Sequence, residues 1–373
     1  MPYHQNTTSC DIFCAVIDNF GDAAVTARLA RQLADEHGWH VRLWLDDLQA
    51  LVALWPGVRP DVDCQVARGI AIHRWPAGDF PDTDCASVVI AAFGCRLPDN
   101  YLARMAAHPP CWLNLEYLSA ESWVAGCHGL PSPHPRLPLI EYFFFPGFDT
   151  SSGGLLREQG LLRQRDAFRA DARQQAAFWQ RTGLLPDEGA LRFSLFGYRH
   201  APLADLLDNL DRSGRRIWCA LPAGQLEQAG REWQQAHPDS QVHLQIVPFL
   251  AQDDYDQLLW LCDINFVRGE DSLTRAIWAG KPFVWHIYPQ VDHAHHAKLD
   301  ALLQRWQIHA DSASADTVRH IWHAWNGMTP ESMDMLAWLA RLQQVGQAFS
   351  AFADELAGLP NMAKTLVNFC QIR

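Results

Sequence analysis

The sequence predicts an α/β protein with two Rossmann-like domains that face one another across a cleft, followed by C-terminal helices. Apolar runs of strand length alternate with helical patterns along most of the chain, as in the βαβ units of a mainly parallel sheet. The chain has 373 residues, more than one hydrophobic core usually serves, so two domains are expected. Two acidic turns that contain glycine, at 18–22 and 268–272, each lie between an apolar run and a helical pattern. Open α/β folds bind ligands at the sheet edge where such turns lie.

The first half of the chain alternates predicted strands with helices up to a stretch rich in proline and aromatic residues. A helical pattern over 24–33 follows the first acidic turn, and 153–181 is also predicted to be helical. The stretch 130–148 is rich in proline and aromatic residues, and we predict an ordered excursion over the cleft there. The predicted strands are 12–17, 41–45, 70–73, 88–92 and 111–115.

A second α/β series begins after the Gly-Leu-Leu-Pro segment at 183–186. The tail from 330 is predicted to be helical, with breaks near Gly346 and Pro360. We place the first domain at 1–183, joined by a C-terminal helix at 350–373, and the second domain at 184–349. The second series has predicted strands at 191–196, 217–220, 242–247, 264–267 and 283–286, with helices starting near Pro202, Gly224, Asp253 and Ser272.

Composition excludes several functional classes. The formal net charge of −12 makes nucleic acid an unfavourable partner, since its phosphates would be repelled, whereas a basic protein would be attracted. The N-terminus lacks the basic and apolar regions of a signal peptide, and no run reaches the roughly 18 apolar residues of a membrane span. The 10 cysteines form no C-x-x-C pair, so we expect free thiols, a cytoplasmic location and no membrane partner.

Most of the 16 tryptophans are predicted to be core residues, with a few left for a protein-binding face, where tryptophan is enriched. Those that lie inside apolar patterns are Trp112, Trp123, Trp260, Trp278 and Trp285.

The second acidic turn has the features of a diphosphate site. We predict that Ser272 is the N-cap of the following helix, whose N-terminal amides and partial positive charge suit an anion. Arg268 adds a charge-assisted contact. Gly280-Lys281-Pro282 then ends the helix before the next strand, a pattern typical of nucleotide-sugar enzymes. The alternative is an ordinary capped helix of an α/β protein.

Aromatic residues follow several strands of the second half. A pyrimidine base needs a flat apolar surface with a few polar edges, so their shared position at strand ends favours a base pocket. The alternative for each ring is ordinary core packing. These residues are Phe196, Tyr198, Phe249 and Tyr288, together with Tyr255 in the helix after Phe249.

We predict that the protein uses no metal. A helix N-terminus and Arg268 can stabilise a departing diphosphate in place of a metal, and the cluster His293, His295 and His296 has no acid or cysteine at ligand spacing beyond Asp292. The alternative, a histidine metal site, stays open at this point.

Two α/β domains with a helical tail are the outline of the GT-B glycosyltransferase architecture, which other doubly wound enzymes share. Within that outline the chain resembles the bacterial elongation factor P arginine rhamnosyltransferases over essentially its whole length. The motifs that carry the resemblance are Asp18-Asn19-Phe20-Gly21-Asp22, Asn114-Leu115-Glu116-Tyr117-Leu118-Ser119, Phe143-Phe144-Phe145-Pro146-Gly147-Phe148 and Arg268-Gly269-Glu270-Asp271-Ser272.

The resemblance implies a metal-independent, inverting enzyme without a cofactor. It would transfer L-rhamnose from dTDP-β-L-rhamnose to an arginine side chain of elongation factor P, with the acceptor on the first domain and the nucleotide sugar on the second. Asp22 would be the general base, Asp18 an essential neighbour, and Glu270 would hold the sugar or the acceptor. The residues that would bind the donor are Asn19, Phe20, Gly21, Phe196, Tyr198, Phe249, Gln252, Tyr255, Arg268, Asp271, Ser272 and Tyr288.

The chemistry suits these residue types. Arginine is a poor nucleophile because its pKa lies above about 12 and its lone pairs are delocalised. A carboxylate can align one guanidinium nitrogen and accept its proton as the new bond forms, while a second carboxylate fixes its orientation. Asp18 and Asp22 lie four residues apart across a glycine turn, close enough to share one guanidinium. The alternative is that either aspartate caps the following helix.

Two rival functions remain. One is another inverting GT-B enzyme that uses a different nucleotide sugar or a small or lipid acceptor. The other is a non-catalytic protein that keeps the nucleotide pocket and docks a translation factor. The presence of Asp18, Asp22 and Glu270 together argues against the second rival, since docking alone does not require them.

Overall fold

The chain folds into two α/β units, each built on a sheet of mainly parallel strands. The computed structural model describes residues 8–17, 20–76, 78, 80–290 and 292–373. The first unit comprises the described residues up to Gln159 together with Leu359–Arg373, and the second unit is Gly160–Gly358. Within the described part of the chain, every helix is too short or too polar to cross a lipid bilayer.

The first unit contains an eight-stranded sheet. Its strands are β1 (Ser9–Cys14), β2 (His40–Leu45), β3 (Cys64–Ala67), β4 (Ile70–Arg74), β5 (Val88–Ala92), β6 (Cys111–Leu115), β7 (Pro131–Pro133) and β8 (Ile140–Phe144). Its helices before Gln159 are α1 (Gly21–His37), α2 (Gln49–Leu54), α3 (Asp99–Met105) and α4 (Val124–Cys127).

The second unit contains a five-stranded, fully parallel sheet. Helices α5 (Leu161–Ala170) and α6 (Ala172–Thr182) precede it. Its strands are β9 (Leu191–Leu195), β10 (Ile217–Pro222), β11 (Val242–Val247), β12 (Ile264–Arg268) and β13 (Phe283–His286). Its other helices are α7 (Leu203–Arg212), α8 (Glu227–Ala236), α9 (Gln252–Leu261), α10 (Gly269–Ala279), α11 (Ala294–Trp306), α12 (Ser312–Trp325), α13 (Met335–Ala340) and α14 (Leu342–Ala357), with a 3-10 turn at Gln307–His309.

The last helix, α15 (Met362–Ile372), returns to the first unit. The Met362 amide donates to the carbonyl of Leu155 at 2.9 Å, and the Arg157 guanidinium donates to the carbonyl of Leu359 at 3.0 Å. Met362 and Leu366 are buried in the same core as α1, so apolar burial holds the chain end on this sheet.

Strand alternation divides the core of the first unit into two clusters, one on each face of the sheet. Ile12 and Cys14 of β1 point to the face covered by α1, α2 and α15, whereas Phe13 points to the face covered by α3. From Cys10 to Cys14, β1 is buried on both faces, and its one charged residue, Asp11, is paired with Arg42 of β2 at 2.5 Å.

The structure corrects several predictions. The stretch 130–148 is part of the sheet and not an excursion over a cleft, because β8 pairs with β6 in parallel and β7 pairs with β8 in antiparallel orientation. Its prolines misled the prediction, since Pro131 and Pro133 lie on an edge strand, where proline is tolerated. The first strand is Ser9–Cys14 and not 12–17, and α14 continues through Gly346, where a break was predicted. Trp123 is 48% exposed, whereas the four other named tryptophans are buried as predicted.

The units also divide at a different residue from the predicted boundary at 183/184. Helices α5 and α6, separated at Asp171, belong to the second unit, where the Arg169 side chain donates to the carbonyl of Trp260 at 3.0 Å. The chain returns to the first unit at Leu359 and not at 350. All ten cysteines are free thiols, as predicted.

A buried ion pair joins two helices of the second unit. The guanidinium of Arg275 in α10 donates to both carboxylate oxygens of Asp256 in α9, at 2.9 and 2.5 Å, and the two side chains are only 2% and 5% exposed. Because both charges are desolvated, the pair contributes compensation that water cannot supply.

We therefore predict that Arg275→Leu lowers the free energy of unfolding by about 3–5 kcal/mol, since it removes the guanidinium that compensates the buried Asp256 charge. Chemical denaturation of the purified protein measures this loss. The matched control is Arg231→Leu, which removes a surface pair with Glu227 between side chains 54% and 30% exposed and is expected to cost less than about 1 kcal/mol. Equal losses in the two variants would contradict the prediction.

Candidate functional site

Both sheets have a point at which the order of strands reverses. In the first unit the order is β3-β4-β2-β1-β5-β6-β8-β7, so the reversal lies between β1 and β5. In the second unit the order is β11-β10-β9-β12-β13, and the reversal lies between β9 and β12. At such points the connections after adjacent strands diverge and leave a crevice at their carboxyl ends. The segments that follow β1, β9 and β12 contain residues that the sequence analysis assigned to a site: the acidic turn at 18–22, the aromatic residues Phe196 and Tyr198, and the acidic turn at 268–272.

In the first unit, Asp22 lies in the first turn of α1, directly after the turn that leaves β1. Its side chain is buried, and its Oδ2 accepts a hydrogen bond from the backbone amide of Ile17 at 2.9 Å. Phe20 occupies the N-cap position and makes no side-chain capping bond, and Gly21 is the first helical residue. The Asp22 carboxylate is thus oriented by the turn before the helix. Asp18 and Asn19 lie outside the described residues.

The ends of neighbouring strands also carry polar groups. The Asn114 amide nitrogen donates to the Glu116 carboxylate at 2.8 Å, and the Asn114 oxygen accepts from the amide of Gly94, which follows β5, at 3.3 Å. Asp46, after β2, accepts from the amide of Val16 at 2.9 Å and so fixes the end of the β1 segment. Asn114 and Glu116 belong to a motif that the resemblance rests on, but the sequence assigned them no role.

In the second unit, β12 turns into α10 through Gly269, which has φ of +67°. A side chain at this left-handed position would be strained, so glycine permits the strand to enter the helix at once. The predicted cap is therefore wrong: α10 begins at Gly269, Arg268 is at the N-cap position, and Ser272 lies in the first turns of the helix. Glu270 and Asp271 lie in its first turn, and Asp271 and Ser272 are buried.

Arg268 lies over the aromatic residues that follow the adjacent strand. Its guanidinium carbon is 4.3 Å from the ring centre of Phe196 and 5.0 Å from that of Tyr198, and Nη1 donates to the carbonyl of Gly197 at 3.2 Å. Cation–π contacts and this hydrogen bond hold the charge at the reversal point of the sheet. The structure thus brings Arg268 onto Phe196 and Tyr198, which precede it in the sequence by 72 and 70 residues.

The aromatic group continues across the strand ends. Tyr198 packs edge to face on Tyr288 at 5.6 Å and on His286 at 5.1 Å, and Phe196 packs edge to face on Tyr255 at 5.9 Å. Tyr288 is 46% exposed, so one wall of the group is open to solvent. An open, flat, apolar surface beside a guanidinium suits a nucleotide base with a charged tail.

The remaining predicted donor residues lie on the β11–α9 connection and on α9. Phe249 follows β11 at the edge of the sheet and is 37% exposed, and Gln252 is the buried first residue of α9. The Tyr255 hydroxyl is buried beside Ser272 and lacks a partner of standard hydrogen-bond geometry. Burial raises the pKa of Tyr255, so this group is a neutral donor that a bound ligand can satisfy.

Glu270 has a partner that the sequence did not indicate. The Lys298 ammonium of α11 lies 2.7 Å from Glu270 Oε1, and the two side chains are 19% and 16% exposed. Lys298 follows Glu270 by 28 residues, and no motif marks it, so only the packing of α11 reveals the pair. It places a second cation, besides Arg268, at the start of α10.

The histidine cluster does not form a ready metal site. The ligand atoms of His293, His295 and His296 lie within 4.8 Å of one another. However, Nδ1 of His295 accepts a hydrogen bond from the Gln290 amide at 3.0 Å, which places its ring proton on Nε2. Ligation by all three rings would require this bond to break. Metal independence stays a prediction.

Comparison with known proteins gives one family. Residues 10–371 match the family model described as Elongation-Factor P (EF-P) rhamnosyltransferase EarP. The protein-arginine rhamnosyltransferase of Pseudomonas putida is 43% identical, over 96% of this chain and 97% of that protein.

Solved structures agree with this family and with the GT-B fold. A structure described as the basis for EarP-mediated arginine glycosylation of translation elongation factor EF-P is 30% identical, with a TM-score of 0.70 over 98% of this chain and 99% of that one. MurG of Acinetobacter baumannii, at 14% identity, has a TM-score of 0.54 over 98% of this chain and all of its own, and shares the fold alone.

The buried His286 gives a prediction for pH dependence. Its Nδ1 accepts from the Tyr198 amide at 3.2 Å, and burial, followed by the charges of His200, Arg268 and His295, lowers its pKa to about 3. A histidine whose pKa is lowered on folding stabilises the fold above its unfolded value of about 6.5, and this contribution is lost as the pH falls toward 3.

We expect the wild type to lose about 2 kcal/mol of unfolding free energy between pH 6.5 and 5.0 through this group. His286→Gln keeps an acceptor for the Tyr198 amide and removes the titration, so its loss over this range should be smaller by that amount. Denaturation at both pH values measures the difference. The control His108→Gln, at an exposed position, should follow the wild type.

Proposed function

We propose that this chain, which belongs to the EarP family of elongation factor P rhamnosyltransferases, transfers L-rhamnose from dTDP-β-L-rhamnose to an arginine side chain of elongation factor P. The transfer inverts the anomeric carbon and uses no metal. The family match over nearly the whole chain carries the proposal. The guanidinium and aromatic group at the β9–β12 reversal support a nucleotide as one substrate.

The second unit offers complementary groups for each part of the donor. The thymine base stacks on the exposed ring of Tyr288, which packs edge to face on the buried ring of Tyr198. The diphosphate lies at the N-terminus of α10, where backbone amides and the helix dipole favour negative charge. Arg268 supplies a fixed cation there, and the Tyr255 hydroxyl a buried donor.

Asp22 acts as the general base in this proposal. One nitrogen of the acceptor guanidinium attacks the anomeric carbon, and its lone pair forms the new C–N bond. The bond from that carbon to the diphosphate oxygen breaks, and its electron pair leaves with dTDP. The nitrogen gives up one proton to the Asp22 carboxylate, so the glycosylated arginine keeps its positive charge. The hydrogen bond from the Ile17 amide holds the carboxylate in one orientation.

Lys298 is a positioning residue for Glu270. The ion pair at 2.7 Å fixes the direction of the Glu270 carboxylate, which in this proposal holds the sugar or the acceptor. The ammonium also adds positive charge at the start of α10, where negative charge grows as dTDP departs.

Incubation of the protein with elongation factor P and dTDP-β-L-rhamnose, followed by intact-mass analysis and site mapping, tests the function. The wild type should add one deoxyhexose to one arginine. Asp22→Asn should abolish transfer and leave dTDP binding nearly unchanged, and the exposed Asp47→Asn should behave as the wild type. No transfer by the wild type, or transfer from another nucleotide sugar alone, would overturn the proposed activity; normal turnover by Asp22→Asn would overturn the assignment of the base.

Lys298→Met should lower kcat about 10- to 100-fold with little change in the KM for elongation factor P, because it removes the ammonium that orients the Glu270 carboxylate and adds positive charge near the leaving group. Lys298→Arg should restore part of this loss, since it keeps the charge. Steady-state kinetics of both variants, with the exposed Lys364→Met as control, measure the effect. An unchanged kcat in Lys298→Met would remove Lys298 from the mechanism.

A further inference from the structure

The first unit contains a cavity that no step above uses. Its volume is about 600 Å³, and it lies between β6, β8, α3 and the segment that joins β7 to β8. Trp112, Asn114 and Glu141 form its wall on the sheet side, Leu102 lies opposite on α3, and Arg96 and Arg136 also line it. The cavity is large enough for a side chain with part of its backbone.

The register of the strands explains why these groups meet. Trp112 of β6 pairs with Glu141 of β8, and paired residues of adjacent parallel strands project to the same face. Asn114 follows Trp112 by two residues and therefore projects to the same face too. A carboxylate, an indole and an amide are thus aligned on a face where Phe13 and Val89 are core residues.

Two of these groups are in unfavourable surroundings in the folded protein: one lacks a hydrogen-bond partner, and the other carries a charge that burial disfavours. Trp112 is 7% exposed, and its indole N–H is buried without a hydrogen-bond partner. Burial, followed by the charge of Glu116, raises the pKa of Glu141 to about 6. Near pH 7.5 the Glu141 carboxylate is therefore ionised at a cost, in an environment that disfavours its charge.

The two groups define the ligand that would satisfy them. A partly desolvated carboxylate next to a second carboxylate takes a cation with several donors, such as a guanidinium or an ammonium. An indole N–H takes a neutral acceptor such as a backbone carbonyl. A polypeptide segment with a basic side chain offers both within a few ångströms.

We propose that this cavity binds a basic side chain of the acceptor protein, with its charge on Glu141 and a neighbouring backbone carbonyl on the indole N–H of Trp112. This inference rests on the proposed function, since it assigns the ligand to the protein substrate. It makes Glu141 and Trp112 determinants of acceptor affinity, separate from the groups that carry out the transfer.

The exposed charged groups that line the cavity, Arg96, Asp99 and Arg136, form its mouth and fit a polypeptide better than a small ion. Arg96 and Asp99 form an exposed pair at 3.5 Å, both more than 80% exposed, and Arg136 is also exposed. Both signs of charge are thus available to the rest of a polypeptide chain. A free anion would find the arginines of the mouth but would meet the carboxylate of Glu141 inside.

The test measures binding of unmodified elongation factor P by calorimetry without donor, and the KM for each substrate. Glu141→Gln should weaken acceptor binding about 10-fold or more and raise the acceptor KM alike, with the KM for dTDP-rhamnose unchanged. The control Asp61→Asn removes an exposed charge of the same unit outside the cavity and should leave both values unchanged. Unchanged acceptor affinity in Glu141→Gln would overturn the proposal.

Stability separates a binding role from a structural one. A carboxyl whose pKa is raised on folding stabilises the fold below its unfolded value near 4.5, and this contribution is lost as the pH rises through about 6. Glu141→Gln should therefore raise the Tm by about 1–3 °C at pH 7.5 and leave it unchanged at pH 4.5. Glu116 is the charge that adds to burial in raising this pKa, and the other charged or titratable groups that line the cavity include His134, Arg136, Arg96 and Asp99. A purely structural glutamate would lower the Tm on replacement.

Trp112→Phe gives a second, independent variant. It removes a buried N–H that has no partner together with part of a core ring, so the protein should still fold, with a lower Tm from the space left behind, while acceptor affinity should fall about 3- to 10-fold. If the wild type transfers rhamnose but both variants bind the acceptor normally, the cavity inference fails and the proposed function stands. If the wild type transfers no sugar to elongation factor P, the proposed function fails first.

Discussion

The candidate sites of this protein depend on one constraint: parallel strands end at a common edge, and adjacent connections diverge where the strand order reverses. In the second unit this constraint brings Phe196, Tyr198 and Arg268 together, although β9 and β12 are separated by two other strands in sequence. In the first unit it places Asp22 and Gly94 after neighbouring strands. The strand order thus determines which segments of the chain can contribute side chains to each candidate site.

Rigid local features then orient the individual groups. Gly269 lets β12 pass into α10 without a loop, so Arg268, Glu270 and Asp271 stand at fixed positions around one helix N-terminus. The buried Arg275–Asp256 pair ties α10 to α9, which carries Tyr255. Under the proposed function, a helix N-terminus preorganised in this way would need little rearrangement when a diphosphate binds or departs.

Each unit contains a titratable side chain whose pKa is shifted by burial, and the two are held in different charge states. His286 stays neutral because burial and nearby cations lower its pKa, whereas Glu141 stays charged near neutral pH although burial raises its pKa. The two groups act on stability in opposite pH ranges: His286 weakens the fold as the pH falls below about 6.5, whereas Glu141 weakens it at neutral pH. A group that lines a cavity and lowers the free energy of unfolding is a candidate for a role in binding, since a bound ligand can stabilise it.

The sequence by itself determined the two α/β series, the acidic turns and the family, because apolar periodicity and short motifs are local properties of the chain. It also located most strands, and it named Arg268 and the aromatic rings that gather around it. Tertiary structure alone decided that 130–148 joins the sheet, that α10 starts at Gly269, that Lys298 pairs with Glu270, and that Trp112 and Glu141 share a cavity. These features depend on strand register and helix packing between distant segments, which no local pattern encodes.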